Sequence, residues 1–223
     1  AVRAEAVSVC VDAGAPGITV HPRADARHIT TADVHDIAAF LRSLPRHVEF
    51  NIEGDPRRDV ISLVHDVKPD QCTLVPVRAG EITSEAGWPA TTPKESLRGI
   101  VRDLRDAGIR VSIFVDPEEA PIRWAADIGA DRVELYTEPY ARAFERGEAD
   151  ARQSFKIYVK AAELAASLGL GVNAGHDLDL DNLLLFRSLP HLAEVSIGHA
   201  LISHALFVGL YPAVVEYLDV LGS

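Results

Sequence analysis

The chain has 223 residues, 48% of them hydrophobic, and carries a formal charge of −11 at pH 7. That is enough apolar material for one sizeable core, while the acidic balance argues against a nucleic-acid or anionic-membrane partner. No apolar stretch approaches the ~18 residues of a membrane span and no signal peptide is visible. Cys10 and Cys72 read as buried thiols in a reducing compartment, so a cytoplasmic location is expected.

Helix and strand are predicted to alternate along the whole chain. Residues 2–13 read as a helix stopped by Gly14, and 17–21 as a strand. Thr30 and Asp33 can form a capping box for a helix carrying Val34, Ile37, Leu41 and Leu44 at helical spacing, ended by Pro45. A strand at 48–53, a helix at about 56–67 and a strand at 72–76 follow. Residues 77–92 form the longest loop, a plausible lid, before a helix at about 93–107. The remainder reads as strand 110–116, helix 117–128, strand 132–137, helical region 139–168, strand 170–174, helix 178–188, strand 194–197 and a last helix from 200. Four joints, DAGAPGITV, DAGIRVSIF, DIGADRVEL and SLGLGVNAG, close a helix with glycine and enter a strand.

This pattern predicts a single α/β domain, a (β/α)8 barrel of the TIM type spanning residues 1–223. Only seven strands are visible, and the chain is shorter than the roughly 250 residues usual for that fold. The leading helix should follow a strand, so a first strand and loop of about 20–30 residues are expected upstream.

In such a barrel the chemistry lies where the strands end. Alternation puts Ile18, Val20, Phe50, Ile52, Ile113, Val115, Val133 and Leu135 on the face under the helices. Thr19, His21, Asn51, Glu53, Ser112, Asp116, Glu134 and Tyr136 fall on the face turned into the barrel. Inward carboxylates are costly unless paired or used, which singles out Glu134, deeper than a strand tip, and Glu53, in the polar turn NIEGDP. Asp116 precedes Pro117 and can simply cap the next helix. His21, Arg23 and His28 cluster after one strand and suit a phosphate monoester and proton transfer near neutrality. The last two strands end in AGH (174–176) and IGH (197–199). Gly198 with His199, before a helix, makes a phosphate cradle, and His176 can bind the same ligand or transfer a proton.

The lysines are Lys68, Lys94, Lys156 and Lys160, none at a strand tip, which disfavours a Schiff-base aldolase. There is no HExxH, P-loop or GxGxxG. His21, Glu53, His176 and His199 are metal-ligand types, but their spacing specifies no metal site.

The ordered motifs GITVHPRADARHI (17–29), FNIEG (50–54), LVPVRAGEITSEAGW (74–88), VSIFVDPE (111–118), VELYTEPYA (133–141), LGVNAGHDL (170–178) and IGHALISHALFVGL (197–210) resemble the pyridoxine 5′-phosphate synthase family. The resemblance implies a TIM barrel with extra helices, assembled as an octamer, without metal or organic cofactor. It implies condensation of 3-amino-2-oxopropyl phosphate with 1-deoxy-D-xylulose 5-phosphate, with release of phosphate and water. By that resemblance His21 and Glu53 are proton acceptors, His176 a proton donor, and Glu134 stabilises the transition state. Arg23, His28 and Thr83 would contact the deoxyxylulose phosphate, and Asp177, Gly198 and His199 the amino-oxopropyl phosphate. Asp177 stands where some relatives have glycine, so its acidic side chain should turn away from a phosphate. The family's substrate-binding first strand is not in this sequence. Two rival readings are a metal-dependent sugar-phosphate epimerase or aldolase on the same barrel, and a non-catalytic phosphate-binding barrel.

Overall fold

The computed structural model describes residues 2–76 and 86–222. Among these, seven parallel strands lie in one sheet in chain order, so β1 and β7 are its outer strands. Helix α1 (Val2–Asp12) leads into β1 (Gly17–Val20), α2 (Thr31–Ser43), β2 (Glu49–Gly54), α3 (Arg58–Val67) and β3 (Gln71–Leu74). Then come α4 (Glu95–Asp106), β4 (Arg110–Val115), α5 (Glu119–Asp127), β5 (Arg132–Tyr136), α6 (Glu138–Glu145) and α7 (Glu148–Ser167). The chain continues through β6 (Gly171–Gly175), α8 (Leu180–Phe186), β7 (Leu192–Ser196), α9 (His199–Val208) and α10 (Leu210–Leu221). No described helix is long and apolar enough to cross a membrane.

Local chemistry explains these elements. The Thr30–Asp33 capping box is present: Asp33 N–H donates to Thr30 Oγ1 at 3.2 Å and Thr30 N–H to Asp33 Oδ2 at 2.9 Å. At the four repeated joints Gly14, Gly108, Gly129 and Gly169 all take positive φ, the conformation that turns a helix end into a strand. Two predicted helical regions are each divided. Gly147, at φ +127°, separates α6 from α7, and Gly209, at φ +92°, separates α9 from α10.

The alternation sorts the two faces of the sheet as expected. Ile52, Ile113, Val115, Val133 and Leu135 are fully buried under the helices, whereas Ile18 on outer strand β1 is half-buried. An aromatic group of Tyr140, Phe155, Tyr158 and Phe186 fastens α6, α7 and α8 to one another, with ring centroids 5.0–6.3 Å apart.

The inward face is polar over two levels. Low in the barrel, Arg110 pairs with Glu49 and, at 3.4 Å, with Glu194, which also pairs with Arg132. Gln71 accepts from Arg110 at 2.9 Å, and Asn173 accepts from Arg132 and donates to Glu194, both at 3.0 Å. Above this floor lie Asn51, Thr73, Ser112 and Glu134, all buried.

Candidate active site

Because the strands are parallel, their C-terminal ends form one rim. His21 follows β1, Glu53 is the penultimate residue of β2, Asp116 follows β4, His176 follows β6, and Gly198 with His199 opens α9 after β7.

Two of these side chains meet directly. His21 Nδ1 lies 3.2 Å from Glu53 Oε1, each side chain one-fifth exposed. With a proton on the Nδ1 that faces this carboxylate, Nε2 is left as the lone-pair acceptor. His21 Nε2 is buried and has no hydrogen-bond partner among the described residues.

Glu134 sits deeper, only 3% exposed, with Oε2 buried and unpartnered among the described residues. Burial pushes its carboxyl well above the usual range, and the charges of Glu53 and Glu194 push the same way, against an opposing hydrogen bond from Thr73. Gly175 makes the space for it: a Cβ there would lie 2.4 Å from Glu134 Oε1. Burial and the Glu53 charge also push the Cys72 thiol up to about 12, so that thiol is inert.

His176 follows Gly175 in a strained turn, with φ of +92° at His176 and +59° at Asp177. Such backbone persists only where its surroundings hold it. Here the Thr137 hydroxyl lies against the carbonyls of Gly175, at 2.7 Å, and of His176, while Asn182 donates to the Asp177 carbonyl at 3.0 Å. The His176 ring packs edge-on against Tyr136 at 5.1 Å, and Tyr136 against Phe114 at 5.4 Å. Asp177 Oδ2 is 3.3 Å from His176 Nδ1 without a hydrogen-bonding angle, so the carboxylate is turned toward the imidazole and Nδ1 keeps no hydrogen-bond partner among the described residues.

The other predicted residues lie farther out. Arg23 is half-buried and His28 exposed in the segment after β1. Gly198 and His199 are exposed at the α9 N-terminus, and a Cβ on Gly198 would meet nothing within 4 Å. Thr83 lies outside the described residues, as does most of the 77–92 loop. The end of that loop is docked: Trp88 N–H donates to the Phe114 carbonyl at 2.9 Å and its indole N–H to the Leu74 carbonyl at 3.0 Å. Asp116 does not cap α5, whose N-cap is Glu118; instead its carbonyl accepts the Glu118 N–H at 2.7 Å. Among the described residues no three His, Cys, Asp or Glu side chains are grouped to hold a metal ion.

Sequence reasoning did not single out Thr73, Thr137 or Gly175, each of which touches Glu134 or the His176 turn. Thr73 could have been found, since alternation along CTLVP turns Thr73 inward when Cys72 and Leu74 face the helices. The roles of Thr137 and Gly175 depend on contacts between strands that only the register reveals.

Comparison with known proteins agrees with this architecture. The structure resembles the YdjI aldolase from Escherichia coli K12 at a TM-score of 0.68 with 11% identity, covering 99% of this chain and 87% of that one. It also resembles phosphoribosylanthranilate isomerase from Thermotoga maritima at a TM-score of 0.63 with 13% identity, covering 98% and 92%. At such identities the likeness is one of fold alone, a TIM-type barrel. In sequence, the chain is 51% identical over 210 residues to pyridoxine 5′-phosphate synthase from Cytophaga hutchinsonii, covering 94% of this chain and 85% of that relative. It is 50% identical over 213 residues to the synthase of the same name from Bacteroides fragilis, covering 95% and 86%. The family model of pyridoxal phosphate biosynthesis protein PdxJ matches residues 3–223. A barrel of this kind, with a family match from end to end and half of all positions shared with curated relatives, means that the chain belongs to the PdxJ family.

Proposed function

We propose that this chain acts as a pyridoxine 5′-phosphate synthase, joining 3-amino-2-oxopropyl phosphate to 1-deoxy-D-xylulose 5-phosphate and releasing phosphate and water. The observation that carries the reading beyond family membership is the set of groups at one barrel mouth. A carboxylate–imidazole pair, Glu53 and His21, stands near a buried acid, Glu134, and a second histidine, His176, sits on a strained turn.

Each group suits a step of that condensation. Attack of an amine on a ketone, loss of water and ring closure all require protons to be removed and returned at neighbouring atoms. His21, oriented by Glu53, accepts a proton through Nε2, and Glu53 serves as a second acceptor. His176 donates a proton to a leaving oxygen. Glu134, held neutral by its burial, hydrogen-bonds a reacting group without adding another negative charge beside two phosphorylated substrates.

Arg23, His28 and Thr83 are assigned to the deoxyxylulose phosphate. Asp177, through its backbone N–H, and Gly198 with His199 at the α9 N-terminus are assigned to the other phosphate. The protein is proposed to work as a single barrel domain in the cytoplasm, without metal or organic cofactor, and as a homo-oligomer of octameric size. For the oligomer, α9 offers an apolar face, with Leu206 81% and Phe207 88% exposed. The test is to mix full-length protein with both substrates and follow product absorbance and phosphate release together, with and without chelator. Equal yields indifferent to chelator are expected. Chelator-sensitive turnover of other sugar phosphates, or binding without turnover, would overturn the assignment.

A further inference from the structure

The two residues at positive φ after β6, His176 and Asp177, are flanked by three peptide units, and the carbonyl of each unit is tied to a buried residue from another element. Thr137, fully buried directly after β5, makes two of these ties. Its backbone N–H donates to the Gly175 carbonyl at 3.0 Å. Its hydroxyl lies 2.7 Å from that same carbonyl and against the His176 carbonyl as well. Asn182 of α8, also buried, makes the third tie: its Nδ2 donates to the Asp177 carbonyl at 3.0 Å.

The donors and acceptors leave one assignment for these contacts. Both oxygens facing the Thr137 hydroxyl are carbonyls, which only accept, so the hydroxyl gives its single proton. The Gly175 carbonyl already takes the Thr137 N–H, whereas no backbone N–H among the described residues reaches the His176 carbonyl. The hydroxyl proton therefore belongs to His176. The Asn182 amide is fixed in the same way: its Oδ1 accepts the Asp179 N–H at 3.0 Å, which turns Nδ2 to the Asp177 carbonyl. The Asn182 carbonyl in turn accepts the Tyr140 hydroxyl at 2.8 Å, so α6 braces the α8 residue that holds the turn.

Thr137 thus pins the peptide planes on both sides of the His176 Cα, and with them the direction in which the imidazole leaves the chain. Asn182 pins the plane beyond Asp177. In a planar trans peptide the N–H points away from its carbonyl. The Asp177 N–H is therefore turned away from Thr137, and it finds no backbone acceptor among the described residues. We propose that Thr137 and Asn182 are positioning residues for the His176 turn: together they aim the His176 imidazole and the Asp177 N–H at one ligand. This rests on the reading of His176 as a proton donor and of the Asp177 N–H as a contact to the amino-oxopropyl phosphate, but the hold on the turn can be tested in the ligand-free protein.

The test pairs crystal structures of variants with steady-state kinetics in which each substrate is varied in turn. Thr137→Val keeps the side-chain shape and the backbone N–H and removes only the hydroxyl. It should release the His176–Asp177 peptide, return His176 to negative φ and draw the imidazole off the edge of Tyr136. Turnover should fall roughly tenfold to a hundredfold, as for a reacting group displaced by about an ångström. KM for the amino-oxopropyl phosphate should rise while KM for the deoxyxylulose phosphate, assigned to Arg23, His28 and Thr83, stays unchanged. A general loosening of the fold would move both. Thr137→Ser, which restores the hydroxyl, should bring the turn and the kinetics back toward the starting protein. Asn182→Asp keeps an acceptor for the Asp179 N–H but sets an oxygen against the Asp177 carbonyl, so it should raise the same KM, and it carries the test if Thr137→Val does not fold. The proposal is overturned if folded Thr137→Val keeps the His176 turn, or if either folded variant leaves both KM values unchanged or moves them alike. If the unaltered protein makes no pyridoxine 5′-phosphate, the proposed function fails while the crystal structures still decide whether Thr137 and Asn182 set the turn.

Discussion

A carboxyl buried to 3% exposure and facing two other carboxylates is a liability at neutral pH unless it keeps its proton. The sign follows from linkage. The folded protein holds the Glu134 proton to higher pH than the unfolded chain, whose ordinary value is 4.5. Stability from this group is therefore fully present below that value and declines as pH rises toward the folded one. Glu134→Gln, neutral at every pH, should stabilise the protein at pH 8 by on the order of 1 kcal/mol, a rise of ~2–4 °C in melting temperature. That advantage should vanish as pH falls to about 4.5. Turnover should drop about 10²–10³-fold, as for loss of a preorganised hydrogen-bonding group. Thermal melts at the two pH values and steady-state rates check both halves. Glu53→Gln is a second case: it removes the charge next in weight after burial and the carboxylate that faces His21 Nδ1, so turnover should fall by about 10²-fold or more. In the same variant the Glu134 titration should move down, measurable by its carboxyl band.

Strand alternation made these residues legible before any coordinates. Glu134 and Glu53 are inward because Val133, Leu135 and Ile52 are outward, and a period of two admits no other choice. The strained His176 turn was not legible, because histidine and aspartate, though enriched at positive φ, adopt it in only a small minority of positions; the Thr137 and Asn182 contacts that hold it come from elsewhere in the chain.

At the scale of elements, what was missed concerns where helices stop. Gly147 lies inside an otherwise continuous helical pattern, where a lone glycine is tolerated at a cost of about 1 kcal/mol relative to alanine and so does not by itself mark a break. The packing of α7 against α5 and β6 decides it. Gly209 carried a clearer signal, since Pro212 belongs in the first turn of a new helix. The docked end of the 77–92 loop was visible only as a Trp in a polar stretch. Its anchor is Gly87, where a Cβ would lie 2.3 Å from the Val115 Cα, too close for any side chain. Gly87→Ala should lift Trp88 off the β3 and β4 ends and separate it from Trp124, now 6.3 Å away between ring centroids. The expected cost is about 1–3 kcal/mol of stability, in the range for forced overpacking. A red-shifted tryptophan emission with weakened substrate binding would mark the undocked loop, and unchanged emission would show that Gly87 is dispensable.

The molecule as a whole has to hold an open row of strands in a barrel-like curve. Hydrogen-bonded neighbours do this only locally, from β1 through β7. The charged floor acts across the interior: Arg110 on β4 reaches Glu49 on β2 and Glu194 on β7, and Arg132 on β5 also reaches Glu194. Two cations and two carboxylates balance one another, with Gln71 and Asn173 filling the gaps between them. Burial, then the nearby Glu194 charge, raises the Glu49 carboxyl above its usual range even with both arginines in place. Arg110→Met would keep the length of the side chain and leave the two carboxylates with a single cation. Because the pairs are nearly one-third exposed, solvent screening limits the loss to about 1–3 kcal/mol at neutral pH, below that of a fully buried pair. The loss should shrink as pH falls toward 4.5, since Glu49 then takes up a proton and the repulsion ends. Denaturant melts of both proteins at pH 8 and pH 5 test this directly. A penalty equal at the two pH values would mean that Arg110 acts by packing alone, and that the barrel's curve is held by its hydrogen-bonded strands and helices without an electrostatic brace.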